Sequence, residues 1–260
     1  MALDRFYTDH WRDIEPERIE RYEAMFVWHD AQKVLLEPAA IKPGHVVLDV
    51  GAGPGFFAGG LADLVGEGGS VHGVDINQRF VNDANVRFAQ TPNLAFHLLA
   101  DHQLPFEDDF FDRVVCKNVL EYVPDVDASL REIHRVLKPG GRAHVIDSDW
   151  GFVIVEPWDK SQVDRFFSAA KAAFNEAYIG RRVAGYLKDA GFETVTVRLS
   201  PFVDQTGRGL HVLRNMAGYI RTFDTMDAAE VDAMIAQVEE TLAQDKFLFC
   251  LPQFLVTATS

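Results

Sequence analysis

The sequence predicts an α/β fold: a doubly wound, mostly parallel seven-stranded sheet with an N-terminal helical cap and a late helical insertion. Two observations indicate this fold. From His45 onward, short apolar runs alternate with amphipathic stretches, as in βαβ units whose sheet is covered on both faces. The first of these runs leads directly into the glycine-rich turn at residues 51–55, which in turn opens a helix.

Residues 1–41 are predicted to form the helical cap. From Pro16 to about Leu36 apolar side chains recur at helical spacing, and Pro16 suits the first turn of a helix. Pro38 and Pro43 close the segment before the first strand. The segment is rich in aromatic side chains, among them Phe6, Tyr7, Trp11, Tyr22, Phe26 and Trp28.

Residues 42–200 are predicted to form the core. We expect its first strands at Val46–Val50, Ser70–Asp75, Leu94–Leu99, Arg113–Lys117 and Arg142–Asp147. Between them we expect helices that open at Gly55, that span about Gln78–Phe88, and that span Asp125–Leu137. Asp125 can cap the last of these helices, and the turn at residues 138–141 ends it.

After Trp150 a helix-rich stretch runs to Ala190, and a strand follows at about Thr194–Leu199. Residues 201–245 are predicted to be a helical lid made of two helices, at about Leu210–Phe223 and Asp227–Leu242. Residues 246–260 are predicted to return to the core as its final strand. Pro252 cannot donate to a strand ladder, so we expect a bulge, an edge or a break there.

The charge balance excludes several classes of partner. The chain has 39 acidic and 25 basic side chains, a net charge of −14, and no run of Lys or Arg. Binding to nucleic acid or to an anionic membrane needs clustered cations, so neither partner is expected. The two cysteines, Cys116 and Cys250, form no disulfide framework and no metal-ligand spacing. Without an apolar leader or a run of about 18 apolar residues, a cytoplasmic protein is expected.

The glycine turn and two acids carry the chemistry. A strand that leads through Gly51, Gly53 and Gly55 into a helix directs backbone N–H groups at a ligand, although a tight turn alone has the same pattern. Asp75 ends the second strand, 20 residues beyond Gly55, where a carboxylate can accept both hydroxyls of a ribose or simply cap a helix. Asp101 follows the third strand, where an acid can bind an adenine amino group.

In this order the motifs resemble those of the class I S-adenosylmethionine-dependent methyltransferases, from about Lys42 to Leu199. Within that family the chain is similar to a small-molecule subgroup, the ubiquinone and menaquinone methyltransferases. The matching segments are residues 47–55 (VLDVGAGPG), 74–75 (VD), 100–106 (ADHQLPF), 111–125 (FDRVVCKNVLEYVPD) and 130–141 (LREIHRVLKPGG).

The resemblance implies S-adenosyl-L-methionine as the cofactor, S-adenosyl-L-homocysteine as its product, and no metal. It implies that the methionine part contacts the glycine loop, bordered by Asp49, and the backbone around Asn118. It also implies that Asp75 binds the ribose hydroxyls and that Asp101 and His102 flank the adenine. The cofactor-binding residues predicted in this way are Asp49, Gly51, Ala52, Gly53, Gly55, Asp75, Ile76, Ala100, Asp101, His102 and Asn118.

Two positions depart from the subgroup. Ala52 stands where Cys is frequent, and Tyr122 stands where His is frequent in the stretch Glu-His-Val-Pro-Asp. Neither change threatens cofactor binding, but the second weakens the prediction of a quinone-type acceptor.

Methyl transfer from a sulfonium is an in-line displacement, so the protein contributes positioning, desolvation and, for some acceptors, a base. The candidate bases are Asp147 and Asp149, which follow the fifth strand, together with His29 and His211. Each has a plain structural alternative as a cap or a packed side chain, and carbon or amine acceptors need no base. The aromatic side chains Tyr7, Trp11, Trp28 and Trp150 are candidates to line the acceptor site, or are simply core.

The predicted function is therefore methyl transfer to a small molecule, with two alternatives. One alternative is a NAD(P)-dependent oxidoreductase. Its dinucleotide-binding motif is G-x-G-x-x-G, whereas here Phe56 occupies the sixth position, which disfavours this alternative. A catalytically silent cofactor-binding module is the other alternative. Nucleic-acid methyltransferases carry Asn/Asp-Pro-Pro-Tyr or a Pro-Cys nucleophile after the fourth strand, and the stretch that starts at Asn118 is neither. The atom that is methylated and the oligomeric state, a homodimer included, stay open.

Overall fold

The structure is a computed structural model, and it describes residues 6–12, 14, 19, 22–23, 26–100 and 103–260. Its strands are β1 Val46–Val50, β2 Ser70–Asp75, β3 Leu94–Leu98, β4 Phe111–Lys117, β5 Leu137–Ser148, β6 Ile154–Glu156, β7 Glu193–Ser200, β8 Val203–Asp204, β9 Leu248–Cys250 and β10 Gln253–Thr259. Its helices of four residues or more include α1 Phe6–Arg12, α2 Lys33–Leu36, α3 Phe56–Val65, α4 Gln78–Arg87, α5 Val126–Val136, α6 Lys160–Ala169, α7 Ile179–Asp189, α8 Arg208–Phe223 and α9 Ala228–Ala243.

The main sheet has seven strands in the order β3-β2-β1-β4-β5-β10-β7. Its first five strands pair in parallel, and β10 runs antiparallel to both β5 and β7. The predicted fold class, a mostly parallel seven-stranded sheet, is confirmed. The chain order reverses between β1 and β4, and open α/β sheets bind ligands at the carboxyl ends of the strands beside such a reversal.

The core strands lie close to their predicted positions. β1 and β2 have the predicted bounds, whereas β4 starts two residues earlier, at Phe111. β5 also starts earlier than predicted, because residues 138–141 form an irregularity inside it rather than a separate turn. The pairing with β4 shifts there, from Phe111 opposite Leu137 to Arg113 opposite Arg142.

The predicted helix over 16–36 is wrong at residues 27–29. Among its described residues, 19, 22–23 and 26 are helical, but 27–29 are not. His29 has an extended backbone, and its N–H donates to the Gln32 side chain at 3.2 Å. This bond starts a new short helical turn, which the periodicity of apolar residues does not encode.

A second layer carries its own core. β6, β9 and β8 form a small antiparallel sheet, and α6, α8 and α9 pack with it. Residues 246–260, predicted as one strand of the main sheet, are two strands on either side of Pro252, and the first of them joins the small sheet. The buried side chains of this layer include Phe166, Leu213, Ile220, Val231 and Phe249. Within the described part of the chain, no helix has both the length and the apolar character that crossing a bilayer requires.

Candidate functional site

A cavity of about 430 Å³ lies at the carboxyl ends of β1, β2 and β4. The glycine loop forms one wall, α1 contributes Thr8, Trp11 and Arg12, and the segment after β4 closes the far side. Of the predicted cofactor-binding residues, the structure brings eight to this cavity: Asp49, Gly51, Ala52, Gly53, Asp75, Ile76, Ala100 and Asn118.

The three loop glycines have different roles, although all have positive φ angles. A Cβ at Gly51 would lie 2.2 Å from Val119 Cγ2, so a side chain there clashes with the segment after β4. A Cβ at Gly53 would meet no atom of a described residue within 4 Å, so its backbone is open to the cavity. Gly55 faces Phe96 instead, with a Cβ position 2.6 Å from Cζ, and it does not line the cavity.

Asp75 ties the glycine loop to the end of β2. One of its oxygens accepts from the Gly53 N–H at 2.7 Å, and the other accepts from the Asn77 N–H at 2.8 Å. Burial raises the pKa of Asp75 to about 6 in spite of these backbone donors. Each carboxylate oxygen keeps a further lone pair, so the group can still accept hydrogen bonds from a ligand in the cavity.

Two further acceptors at the cavity have no partner among the described residues. They are Asp49 Oδ2 and Asn118 Oδ1, both buried. Burial raises the pKa of Asp49 to about 8; Lys117 opposes this shift and Asp75 adds to it. Asn118 holds a positive φ of 54°, and its N–H donates to the Ile146 carbonyl at 2.8 Å. Because an unpaired buried acceptor is costly, both oxygens call for a donor supplied by a ligand.

The loop at the other end of the cavity is held by Arg135. Its guanidinium donates to the carbonyls of Leu104 and Phe106 and pairs with Glu132, which in turn accepts from the Leu104 N–H at 2.9 Å. Leu104 is therefore held in place, and it lines the cavity together with Ala100. The predicted adenine-binding residues Asp101 and His102 lie outside the described residues.

The two predicted acids at the end of β5 are used by the protein itself. Asp147 accepts from the N–H groups of Leu120 and Ser148, at 3.2 and 2.9 Å, and burial raises its pKa to about 7. Asp149 is fully buried; it pairs with both guanidinium nitrogens of Arg181 that face it and accepts from the Gly151 N–H at 2.9 Å. Neither side chain lines the cavity.

The two predicted histidines are also away from the cavity walls. His29 is an exposed residue before a short helical turn, and His211 is exposed on α8. All four candidate bases are among the described residues, and none lines the cavity. Their catalytic role stays a prediction that this arrangement does not favour.

The aromatic candidates separate in the same way. Trp11 lines the cavity, with its ring 5.0 Å from that of Tyr122. Trp28 packs against Phe57 and Gly60 outside it, and Trp150 donates its indole N–H to Glu121 at 2.6 Å. No residue of the predicted lid, 201–245, lines the cavity. The predicted lid instead packs against the segment that carries α1, since Tyr219 on α8 contacts Phe6 of α1 and Tyr22.

Lys117 and Phe57 also line the cavity, and neither is among the predicted site residues. One feature of the sequence could have identified Lys117: it is a charged residue at the end of an apolar run in β4. Within the described part of the chain, no group of three or more His, Cys, Asp or Glu side chains is placed to hold a metal ion.

Comparison with known proteins agrees with this geometry. Residues 48–145 match a family model described as a methyltransferase domain. A 37.1 kDa protein in transposon TN4556 of Streptomyces fradiae is 34% identical over 168 residues, 64% of this chain and 48% of that protein. The 2-phytyl-1,4-naphtoquinone methyltransferase of Synechococcus elongatus is 36% identical over 151 residues, 55% of this chain and 64% of that enzyme.

A third relative is the ubiquinone/menaquinone biosynthesis C-methyltransferase UbiE of Vibrio vulnificus, 34% identical over 119 residues, 45% of this chain and 46% of that enzyme. The chain thus spans less than two thirds of the length of each of these curated relatives.

Two solved structures share the fold. One is the YcgJ protein of Bacillus subtilis, with a TM-score of 0.61, 20% identity, and coverage of 90% of this chain and 99% of that one. The other is a phosphoethanolamine N-methyltransferase 2 of Haemonchus contortus in complex with S-adenosylhomocysteine, with a TM-score of 0.65, 19% identity, and coverage of 100% of this chain and 60% of that one. The central part of this chain is therefore a methyltransferase domain of the class I S-adenosylmethionine-dependent fold that resembles the UbiE-type enzymes.

Proposed function

We propose that the chain transfers the methyl group of S-adenosylmethionine to a small-molecule acceptor. The observation that carries the proposal is the pair of buried oxygens, Asp49 Oδ2 and Asn118 Oδ1, that have no partner among the described residues and lie beside the open backbone of Gly53. Such a wall suits a ligand that donates hydrogen bonds there, and an amino-acid ammonium is one such donor. The match to the methyltransferase domain and the curated methyltransferase relatives support the same assignment.

The residues at the cavity fit the parts of this cofactor. Asp75 has free lone pairs for ribose hydroxyls, while Ala100 and Leu104 form an apolar wall for the adenine. The glycine loop, Asp49 and Asn118 face the methionine part. When bound, the cofactor supplies a methyl group already activated on a sulfonium.

The remaining work of the protein is positioning and exclusion of water. Trp11, Phe26, Phe57, Leu120 and Tyr122 give the cavity an apolar, aromatic lining. Aromatic faces attract a cationic sulfonium, and an apolar wall strengthens every charge interaction inside it. Because none of the four predicted bases lines the cavity, an acceptor atom that is nucleophilic without a base from those residues fits the site best.

The size of the cavity and the charge of the chain support a small acceptor. A cavity of about 430 Å³ is in the range of small-ligand pockets, and the net charge of −14 disfavours a nucleic-acid substrate. A quinone-like acceptor is one member of this class, since two relatives carry quinone methylation in their names.

Calorimetry with S-adenosylmethionine and S-adenosylhomocysteine tests the donor, and transfer of a labelled methyl group to a metabolite extract tests the acceptor. We expect binding of both cofactor forms and label in a compound of low molecular mass. Binding of a nicotinamide cofactor instead would contradict the proposal. Tight binding without transfer to any component of the extract would reduce the protein to a silent cofactor-binding module.

A further inference from the structure

Tyr122 lines the cavity with a hydroxyl group that the proposed function does not use. Its backbone is held at two points, because its N–H donates to the Val119 carbonyl at 2.9 Å and its carbonyl accepts from the Thr8 hydroxyl at 2.6 Å. Its ring packs against those of Trp11 and Phe174, with centroids 5.0 and 5.6 Å away. The phenol is therefore fixed at the side of the cavity that α1 forms.

Glu121, the residue before Tyr122, connects this phenol to the interior of the protein. Glu121 is buried and does not line the cavity. Its Oε2 accepts from the Trp150 indole N–H at 2.6 Å, and its side chain also hydrogen-bonds to that of Tyr122. Trp150, Glu121 and Tyr122 thus form a chain of hydrogen bonds that starts outside the cavity and ends in its wall.

The surroundings of the Glu121 carboxyl favour its neutral form. Burial raises the pKa of Glu121 well above its ordinary value and Asp147 acts in the same direction, while the two hydrogen bonds and Lys117 oppose the shift. Burial also raises the pKa of Tyr122, and Glu121, Tyr219 and Asp147 add to that shift. A neutral carboxyl group and a neutral phenol each keep a proton that they can donate.

The chemistry of the three groups gives the chain a direction. An indole N–H can only donate, so the Glu121 oxygen that faces Trp150 accepts. The other oxygen of a neutral carboxyl group carries the proton and can donate it to the phenol oxygen of Tyr122. The Tyr122 O–H is then left to donate to a further group, and hydrogen bonds in such a chain strengthen one another.

We propose that Tyr122 donates a hydrogen bond to a phenolate or enolate oxygen of the methyl acceptor, and that Glu121 and Trp150 are positioning residues that orient this donor. The inference rests on the proposed function and deepens it, because it assigns a chemical class to the acceptor. A phenolate or enolate is already nucleophilic, which agrees with a cavity that none of the four predicted bases lines. A donor to a charged oxygen makes a stronger hydrogen bond than a donor to a neutral one.

The opposite direction of the chain is a distinct alternative. An ionised Glu121 would take a proton from the acceptor through Tyr122, but its burial and the neighbouring Asp147 disfavour the charge. Glutamine at this position separates the two alternatives. Its amide oxygen can accept from Trp150 and its amide N–H can donate to Tyr122, whereas it cannot take up a proton.

Two small aromatic ligands of similar shape test the donor. 4-Nitrophenol has a hydroxyl group where 4-nitrotoluene has a methyl group. With the protein saturated with S-adenosylhomocysteine, calorimetry should show that the wild type binds 4-nitrophenol at least about tenfold more tightly than 4-nitrotoluene. Tyr122→Phe should bind the two within about twofold of each other, with its affinity for S-adenosylhomocysteine also within about twofold of the wild type. Tyr178→Phe, at a half-buried position outside this cavity, is the matched control and should keep the preference.

Variants of Glu121 test the chain behind the donor. Glu121→Gln should keep the preference for 4-nitrophenol within about threefold and should still transfer labelled methyl groups to the extract. Glu121→Leu should lose most of the preference, while its binding of S-adenosylhomocysteine verifies that it is folded. Loss of methyl transfer in Glu121→Gln, with the preference intact, would identify Glu121 as a base and overturn the proposed direction.

The remaining outcomes are distinct. A wild type that does not bind S-adenosylhomocysteine overturns the proposed function and this inference with it. A wild type that binds S-adenosylhomocysteine without preferring 4-nitrophenol overturns only the role of Tyr122, and this measurement does not depend on whether a variant folds. The same conclusion holds if Tyr122→Phe keeps the preference of the wild type.

Discussion

Two strands of the main sheet, β1 and β5, end in buried carboxylates that differ in what they face. At the end of β1, Asp49 lines the cavity and has an oxygen without a partner among the described residues. At the end of β5, Asp147 accepts from two backbone N–H groups and Asp149 from Arg181 and a backbone N–H, and neither lines the cavity. A carboxylate at the end of a strand is thus no sign of function by itself. What separates a binding residue from a structural one is whether its free acceptor sites face the cavity.

The largest effect should come from Asp75, which belongs to both the loop and the proposed ribose site. Asp75→Ala removes the acceptor of the Gly53 N–H as well as the ligand contact. We expect a loss of S-adenosylhomocysteine affinity on the order of 1,000-fold, equivalent to about 4 kcal/mol. Calorimetry checks this, with circular dichroism to verify folding. An Asp75→Ala protein that is folded and binds normally would contradict the distinction between carboxylates that line the cavity and those that do not.

Changes to buried residues of β5 should instead alter the stability of the fold, and His144 in this strand provides a test. This residue is fully buried, with Nε2 2.7 Å from the Leu35 carbonyl and Nδ1 3.0 Å from Thr257 Oγ1, and burial lowers its pKa to about 4. A histidine with a lowered folded-state pKa contributes stability above its unfolded pKa of about 6.5, and that stability is lost as the pH falls through the folded pKa.

We therefore expect the free energy of unfolding to fall by about 3 kcal/mol from this group between pH 7 and pH 4. Denaturant unfolding at a series of pH values measures it. His144→Gln should be less stable at pH 7 but should lose less stability on acidification. Parallel pH profiles for the two proteins would contradict the assignment.

Asp149 should affect stability without affecting the cofactor. Asp149→Ala removes the partner of Arg181, whose side chain is 52% exposed and can be rehydrated, so we expect a loss of about 1–3 kcal/mol. A chain of this size should then melt roughly 2–6 °C lower. Affinity for S-adenosylhomocysteine should stay within about twofold. A selective loss of that affinity would restore Asp149 as part of the site.

The smallest effect is the pH dependence of cofactor binding. The pKa of Asp49 is raised to about 8, and the carboxylate is the form that binds a cation. We expect affinity for S-adenosylhomocysteine to rise about fivefold from pH 7 to pH 8, with proton release on binding at pH 7. Calorimetry in buffers of different ionisation enthalpy detects the proton. Asp49→Asn should bind more weakly, with a flat profile over this range.

How far the sequence predicts this molecule depends on the range of the interactions. β1 and β2 have their predicted bounds because turn residues flank both apolar runs, and eight of the predicted cofactor residues meet at one cavity because parallel strands end at one edge. β6 and β8, of three and two residues, are too short to show any periodicity.

The partners of Asp147 and Asp149 could not be predicted either. The Leu120 N–H and Arg181 lie 27 and 32 residues away along the chain from Asp147 and Asp149, respectively. Only the folded structure brings them together. Lys117 is the reverse case. Its position at the end of β4 can be predicted from the sequence, whereas its place in the cavity wall cannot.

The packing of α1 has a consequence for how the cavity can open. α1 lines the cavity with Trp11, and its Phe6 ring packs edge-on against Tyr219 and Phe223 of α8, at 5.7 and 4.9 Å between ring centroids. Any displacement of α1 that admits a ligand also separates these rings, which are less than 10% exposed, and wets apolar surface on both sides of the helix. Opening the cavity therefore has a hydration cost that is independent of the ligand, and exchange of the cofactor should slow as conditions strengthen the hydrophobic effect.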